Sequence, residues 1–209
     1  MTSRGLAGSE RKDLCALLDE LGPDAPTLCE GWKTVDLAAH LFVRERRPHA
    51  TPGILLEPLS GITTRAMRKA IAKLGYTGLV AKVRSGPPLL WWPIDGAVNT
   101  IEYFVHTEDV RRAQPEWEPR ESAELDAAAW KSLKMAARLY GHKIKDAGMV
   151  LVRTDGERIV ASKATPAVTI SGGAQELLLF LYGRGKATRT TIEGDDAARA
   201  ALDRANFSI

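Results

Sequence analysis

A carboxylate and an imidazole, Glu102 and His106, lie four residues apart, and a second histidine, His40, lies in an earlier segment. On an α-helix, side chains at i and i+4 share one face. Imidazole nitrogen and carboxylate oxygen are good ligands for divalent ions such as zinc, and three protein ligands leave a position open for water or substrate. The spacing therefore raises the hypothesis of a catalytic metal centre. The alternative is a buried histidine hydrogen-bonded to a glutamate, since Glu-x-x-x-His is a common string.

Two helices must position these side chains. Thr34 is a good N-cap for a helix of about a dozen residues that ends near Pro48. On that helix His40 shares a face with Leu37 and Leu41, so its ring is expected to point toward the protein interior. The second helix covers 98–112 and carries the Glu-x-x-x-His pair.

Two acidic residues follow His106 on the second helix. Asp109 is three residues further on, where it can accept a hydrogen bond from the imidazole and fix its tautomer. A solvated charge near the end of the helix is the other interpretation, and the sequence alone favours it. If the protein were a hydrolase using metal-activated water, Glu108 or Asp109 would have to turn inward as general base.

Apolar periodicity and turn residues outline the rest of the chain. Further helices are predicted over 9–21, with Ser9 as N-cap, over 61–85, with a break at Gly75, and over 121–145. From residue 149 the pattern changes to short apolar runs, and Asp155-Gly156 predicts a β-hairpin. The order β-β-β-α-β-α follows, so the chain is assigned to the α+β class. The predicted domains are a helical domain, 1–146, and a small α+β domain, 147–209.

Composition narrows the functional classes. The 209 residues are 44% hydrophobic and 26% charged, as in ordinary globular proteins, and the net charge of +3 is too weak and too dispersed to favour nucleic acid as a partner. No apolar run is long enough to span a bilayer, and residues 1–14 lack a signal-peptide core. We therefore expect a cytoplasmic protein without nucleic-acid or membrane partners, either a monomer or a homodimer.

The two cysteines do not form the framework of a secreted disulfide-rich domain. Cys15 is predicted to be a small buried hydrophobe. Cys29 is predicted to be an ordinary loop residue, although a reactive thiol is the open alternative. Cys29 or His49 acting as a fourth ligand would turn the metal centre into a closed structural site.

Three segments resemble one family. The stretch 27–41, TLCEGWKTVDLAAHL, resembles the opening motif of the maleylpyruvate isomerase-like, mycothiol-dependent enzymes, which belong to the DinB-like metal-binding helical bundles. The stretch 102–109, EYFVHTED, resembles the second motif, and 168–172 with 176–184 resemble the small C-terminal domain. The stretch 43–48, VRERRP, resembles an actinobacterial subgroup whose reaction is not settled.

The resemblance implies more than the spacing does. It implies that His40, Glu102 and His106 bind zinc or another divalent metal. It also implies a DinB-like four-helix bundle followed by a small α+β, sterol-carrier-like domain. An arginine near the end of the family's C-terminal domain helps bind acidic substrate or thiol. Arg184 is the best match and Arg189 the alternative, although Arg184 can equally cap the C-terminal end of its helix.

Three functions remain open at this point. The resemblance implies an enzyme, a thiol S-transferase or isomerase that uses mycothiol on a small electrophile. The second is a non-catalytic metal-binding or ligand-binding protein with a structural or vestigial site, and the third is the hydrolase. Trp32, Trp91 and Trp92 are candidate walls of a substrate pocket, but packing is the favoured interpretation for Trp32.

Overall fold

The described residues of the first half of the chain form four helices. A computed structural model describes residues 3–46, 60–87 and 97–207. The helices are α1 (Ser3–Leu21), α2 (Thr34–Arg46), α3 (Ser60–Arg84) and α4 (Ala97–Arg111). α2 packs along α3, and α1 packs along α4 and α3. The fully buried side chains between them include Leu14, Leu18, Leu37, Leu41, Leu79 and Tyr103.

The helix starts differ slightly from the prediction. α1 begins at Ser3, six residues before the predicted N-cap Ser9, because Leu6 and Ala7 extend the apolar face of the helix. Thr34 is the first residue of α2, but its hydroxyl does not cap the helix. It donates instead to the Gly22 carbonyl oxygen at 2.5 Å and so joins the start of α2 to the end of α1.

α3 contains the predicted break. Gly75 has φ 63° and ψ 176°, a conformation outside the helical region that glycine adopts readily because it has no Cβ. The helix continues on both sides, and Leu79 and Val83 after the break are fully buried. The break therefore turns the second half of α3 while keeping its apolar face on the core.

The second half of the chain combines a sheet with helices. It begins with α5 (Ala123–Tyr140), whose N-cap Ser122 accepts a hydrogen bond from the Leu125 backbone N–H, and a 3₁₀ turn, Gly141–Lys143, follows. The strands are β1 (Gly148–Arg153), β2 (Arg158–Ser162), β3 (Ala167–Gly172) and β4 (Thr191–Glu193). The predicted order of elements is confirmed.

The sheet is mixed, with strand order β2-β1-β3-β4. β1 and β2 form the predicted antiparallel hairpin, and Gly156 takes the positive φ of 88° that its tight turn requires. β1 pairs in parallel with β3, and β3 pairs antiparallel with β4. Met149, Leu151, Val168 and Ile170 supply the fully buried face of the sheet.

Two shorter helices complete this half. α6 (Ala174–Leu179) leads into a wide turn, Phe180–Arg184, and α7 (Asp196–Arg204) is capped by the Asp195 side chain, which accepts from the Ala198 backbone N–H. All six residues of α6 are buried, as its run of leucines predicts.

The chain divides into two compact units, Met1–Trp117 and Glu118–Ile209. The predicted domain boundary after residue 146 lies inside the second unit. The reason is that α5 packs on α6 and β2, so this long helix belongs with the sheet. None of the helices in the described segments is long and apolar enough to cross a membrane.

Candidate metal centre

The three predicted ligands come together in the first unit. α2 contributes His40, and α4 contributes Glu102 and His106 from adjacent turns of one face. One ligand atom from each residue lies within 4.8 Å of the other two. His40 and His106 are buried, with 5% and 8% of their surface exposed. Residues 62 positions apart therefore form one group, as the hypothesis of a metal centre requires.

A single carboxylate oxygen lies at the middle of this group. Oε1 of Glu102 is 3.3 Å from Nε2 of His40 and 3.3 Å from Nε2 of His106. The two imidazole rings meet edge to face, with their centroids 5.2 Å apart. Both histidines therefore present the same ring nitrogen toward one point.

Asp109 fixes the orientation of His106. Its Oδ2 atom is 3.0 Å from Nδ1 of His106, and its side chain is fully buried. An ionised carboxylate can only accept hydrogen bonds and cannot donate them, so Nδ1 of the imidazole is the donor. The solvated charge that the sequence alone favoured for Asp109 is therefore wrong, and the residue holds the ring of His106 in one tautomer.

That tautomer makes the group suitable for a cation. In neutral His106, the ring proton is on Nδ1 and is hydrogen-bonded to Asp109. Nε2 then carries a lone pair, and this lone pair faces the acceptor Oε1 of Glu102. Two acceptors at 3.3 Å repel each other unless a proton or a metal ion satisfies both. The residues present therefore fit a divalent ion with nitrogen and oxygen ligands.

The protonation preferences agree with this description. Burial would lower the pKa of His106, but hydrogen bonds to Asp109, Cys29 and Glu102 outweigh it and hold the pKa well above its ordinary value. Burial would likewise raise the pKa of Glu102, but hydrogen bonds from His106 and His40 hold it well below its ordinary value. For His40, burial dominates and lowers the pKa. The centre therefore attracts positive charge at Nε2 of His106.

Arg44 is a participant that the sequence reasoning did not assign to the site. It lies one turn after His40 on α2, and its Nε atom is 3.1 Å from Oε1 of Glu102. Its Nη1 donates to Oδ1 of Asn99 at 2.6 Å. The signal was present in the sequence, because Arg44 shares the face of His40 and Asn99 precedes Glu102 by three residues.

The loop before α2 closes one side of the centre. The Trp32 ring packs against the His40 ring with centroids 5.2 Å apart, and it also contacts the apolar core. This position agrees with packing as the favoured interpretation of Trp32. The backbone N–H of Leu28 donates to the carbonyl oxygen of Asp109 at 2.9 Å, which ties the loop to α4. Trp91 and Trp92 lie outside the described residues.

The same loop brings Cys29 to Asp109. The Cys29 sulfur is 3.2 Å from Oδ2 of Asp109, although the two residues are 80 positions apart. Cys29, Asp109 and His106 also form a compact group of potential ligand atoms, but on the Nδ1 side of the imidazole. Within the described segments, the group of His40, Glu102 and His106 has three members, and Cys29 is not one of them. His49, the other candidate fourth ligand, lies outside the described residues.

Neither acidic neighbour of His106 has the surroundings of a general base. Glu108 is fully buried and accepts from Arg111 at 2.7 Å and from Arg112 at 2.6 Å. The charge of Glu108 is therefore neutralised by two arginines. One of them, Arg112, also stacks on the ring of Trp117. Asp109 does turn inward, but it is engaged with His106 and Cys29. The hydrolase hypothesis has no base among these two residues.

The two arginines of the C-terminal motif lie in the second unit. Arg184 ends the wide turn after α6, is half-buried, and donates from Nη1 to the Tyr182 carbonyl oxygen at 2.5 Å. This contact is of the kind expected for a residue that caps a helix end. Arg189 is exposed, and its backbone N–H donates to Oε2 of Glu176 at 2.7 Å.

Comparisons with known proteins support the resemblance at the level of fold. The sequence matches no family model and none of the curated proteins. The structure is similar to the crystal structure of a mycothiol-dependent maleylpyruvate isomerase, and to that of a mutant of such an enzyme in which a histidine is replaced by alanine. Each similarity has a TM-score of 0.57 at 14% identity, and covers 90% of this chain and 90% of the other. The chain therefore has the fold of these isomerase structures over most of its length.

Proposed function

We propose that this protein is a metal-dependent enzyme that activates a small thiol for transfer to, or isomerisation of, a small electrophile. The observation that carries the proposal is the convergence of His40, Glu102 and His106, whose ligand atoms lie within 4.8 Å of one another. Zinc is the proposed metal, since it suits two imidazoles and one carboxylate and leaves a coordination position for a reactant. The similar fold belongs to an enzyme that uses mycothiol, which makes mycothiol the proposed thiol.

The chain's own residues prepare the centre for that role. Asp109 holds the His106 ring through Nδ1, so that Nε2 is directed at the ion position. Arg44 holds the carboxylate of Glu102 from its own side. Positioning of this kind raises the affinity and fixes the geometry of a metal site. A divalent ion in the centre would lower the pKa of a small thiol, so that the nucleophilic thiolate is present near neutral pH.

Substrate recognition is proposed to involve the C-terminal motif. Arg184, with Arg189 as the alternative, would bind an acidic group of the substrate or of the thiol, as the resemblance implies. An arginine guanidinium binds carboxylates through two parallel hydrogen bonds, which suits this role. Arg184→Gln is expected to raise KM for maleylpyruvate roughly tenfold with little change in zinc content, because one charged hydrogen-bond donor is lost. The same result in Arg189→Gln alone would transfer the role to Arg189.

The non-catalytic alternative requires a different number of protein ligands at the centre. A structural zinc site is closed by four protein ligands, and the candidate fourth ligand in the described segments is Cys29. The position of its sulfur near Oδ2 of Asp109, on the Nδ1 side of His106, supports the open site of an enzyme. This observation is the reason for preferring the enzyme.

The decisive experiment measures metal content by mass spectrometry on protein purified without chelator or histidine tag. We expect about one zinc per chain in the parent and little in His106→Ala. His142→Ala is the matched control, because His142 is exposed on the 3₁₀ turn of the second unit. A parent that binds no metal after incubation with zinc and dialysis would contradict the proposal.

A second assay separates the enzyme from the binding protein. The zinc-loaded parent is incubated with mycothiol and maleylpyruvate, and isomerisation is followed by absorbance. Turnover that depends on both zinc and thiol supports the enzyme, whereas stoichiometric zinc without turnover of any thiol–electrophile pair supports the non-catalytic alternative.

A further inference from the structure

The metal centre is more open on one side than on the other. The side chain of Glu102 is 24% exposed and that of Arg44 is 18% exposed, whereas those of His40 and His106 are 6% and 10% exposed. Trp32 packs on His40 from the closed side. A molecule that approaches the three ligands from solvent therefore meets Glu102 and Arg44 first.

Metal loading changes the charge balance on this open side. Without a metal, Arg44 is the counter-ion of Glu102 at 3.1 Å. A divalent ion would be offset by the carboxylates of Glu102 and Asp109, both of which belong to the centre. Arg44 then remains as a positive charge whose second partner, Asn99, is neutral. An unbalanced charge in a partly buried site is unfavourable, so the loaded centre favours an anionic ligand.

The geometry of Arg44 suits one class of anion. Its Nε and Nη1 atoms are held by Glu102 and Asn99, two residues on the same face of α4, so the guanidinium is already ordered. The group has five N–H donors in a planar fork, of which one at Nη1 donates to Asn99, while Nε lies in an ion pair with Glu102. A carboxylate can accept from the fork with two oxygens, whereas a thiolate has one acceptor atom.

We propose that Arg44 binds a carboxylate of the substrate at the open side of the metal centre. This inference rests on the proposed function and assigns to Arg44 the contact with a carboxylate that lies close to the reacting atoms of the electrophile. It gives the first unit a substrate-binding residue of its own, in addition to the arginines of the C-terminal motif.

Maleate, a small dicarboxylate, is the probe for this inference. Its Kd is measured by titration calorimetry on the zinc-loaded full chain, and again on the cobalt(II)-loaded chain, whose visible absorption reports a ligand arriving at the metal. The variants are Arg44→Gln, which removes the charge, and Arg44→Lys, which keeps the charge but loses the fork. Arg68→Gln is the matched control, because Arg68 is an exposed arginine on α3 of the same unit.

We expect Arg44→Gln to weaken maleate binding roughly 10- to 100-fold, the range for losing a hydrogen bond to a charged group. Arg44→Lys should lie between Arg44→Gln and the parent. Arg68→Gln should change the Kd by no more than about twofold, because exposed charges are well screened. All four proteins are loaded with zinc in large excess over its Kd, so that a somewhat weaker zinc affinity in the Arg44 variants still leaves the centre filled and zinc content equal.

Other outcomes would overturn the inference and identify the reason. Unchanged maleate affinity in Arg44→Gln, or no maleate binding to the zinc-loaded parent, removes Arg44 as a carboxylate site but leaves the metal centre intact. Loss of zinc from Arg44→Gln makes Arg44 a positioning residue for Glu102 only. Weaker binding of 2-mercaptoethanol with unchanged binding of maleate makes Arg44 a counter-ion for thiolate. A parent without zinc contradicts the proposed function itself, and the metal analysis reveals this before any maleate is added.

Discussion

Asp109 accepts a hydrogen bond from Nδ1 of His106 at 3.0 Å, one helical turn away on α4. This contact fixes which nitrogen of the ring is left for a metal. Replacing such a partner of a metal-binding histidine weakens metal affinity by roughly 10- to 100-fold. We therefore expect Asp109→Asn, which keeps the shape but removes the charge, to bind zinc more weakly by this factor. Competition titration with a zinc-binding dye measures the change.

The control for this prediction is Asp203→Asn, which removes an exposed carboxylate on α7 of the second unit. It should leave zinc affinity unchanged. Equal zinc affinities for the parent and Asp109→Asn would mean that the contact with His106 is structural and does not serve metal binding.

The raised pKa of His106 gives zinc binding a definite pH dependence. In the metal-free protein, hydrogen bonds to Asp109, Cys29 and Glu102 outweigh burial and keep the imidazole protonated above its ordinary pKa. Zinc must displace that proton, so its affinity falls as the pH drops below the folded-state pKa of His106 and levels off above it. Calorimetry near neutral pH, in buffers with different ionisation enthalpies, should show release of about one proton per zinc.

The proton count must fall toward zero when the titration is repeated well above the folded-state pKa. A release that is absent near neutral pH would show that His106 is already neutral in the metal-free protein. In that case the interactions with Asp109 and Glu102 would not outweigh the effect of burial.

Helical spacing was sufficient to bring two of the three proposed ligands together, but it could not place the third. Glu102 and His106 are fixed relative to each other by one helix, so their pairing follows from sequence alone. That His40 reaches them depends on how α2 crosses α4, and this packing has no local sequence signal. The resemblance of the segments around His40 and Glu102 to one family supplied that long-range information.

The features that the sequence did not predict depend on contacts between distant segments or on the burial of a side chain. Cys29 meets Asp109 because the loop before α2 is tied to α4 through a backbone hydrogen bond, which periodicity cannot show. The burial of Asp109 was not predicted, because a carboxylate near a helix end is usually solvated. No feature of the sequence indicated that α5 belongs to the second unit, since an apolar helix face can pack either on other helices or on a sheet.

The two cysteines should differ sharply in reactivity. Cys15 is fully buried in the core of the first unit, and burial raises the pKa of its thiol to about 11. Below that pH the thiol stays protonated and unreactive, whereas Cys29 is half-buried. We expect one thiol per native chain to react with Ellman's reagent at about pH 8, and the second to react only after unfolding. Cys29→Ser should abolish the fast reaction.

Rapid modification of native Cys29→Ser would show that Cys15 is accessible through opening of the helices around it. The zinc-loaded parent adds a second comparison. Because the Cys29 sulfur lies on the Nδ1 side of His106, zinc should protect it only slightly. Complete protection would instead indicate that Cys29 is a ligand, as in the closed site.

The break in α3 depends on the conformation of Gly75. At φ 63° and ψ 176°, any residue with a Cβ is strained, although the space around the Cβ position is empty within 4 Å. We expect Gly75→Ala to lower the free energy of unfolding by about 1–3 kcal/mol, the usual range for such backbone strain. Urea denaturation of the metal-free protein measures this loss. The matched control is Gly61→Ala, also on α3 with empty space around it but without a positive φ, where alanine should leave the free energy of unfolding unchanged or raise it slightly, because Gly61 lies in the first turn of the helix. Equal effects of the two substitutions would contradict a strained break, since only the backbone conformation distinguishes the two sites.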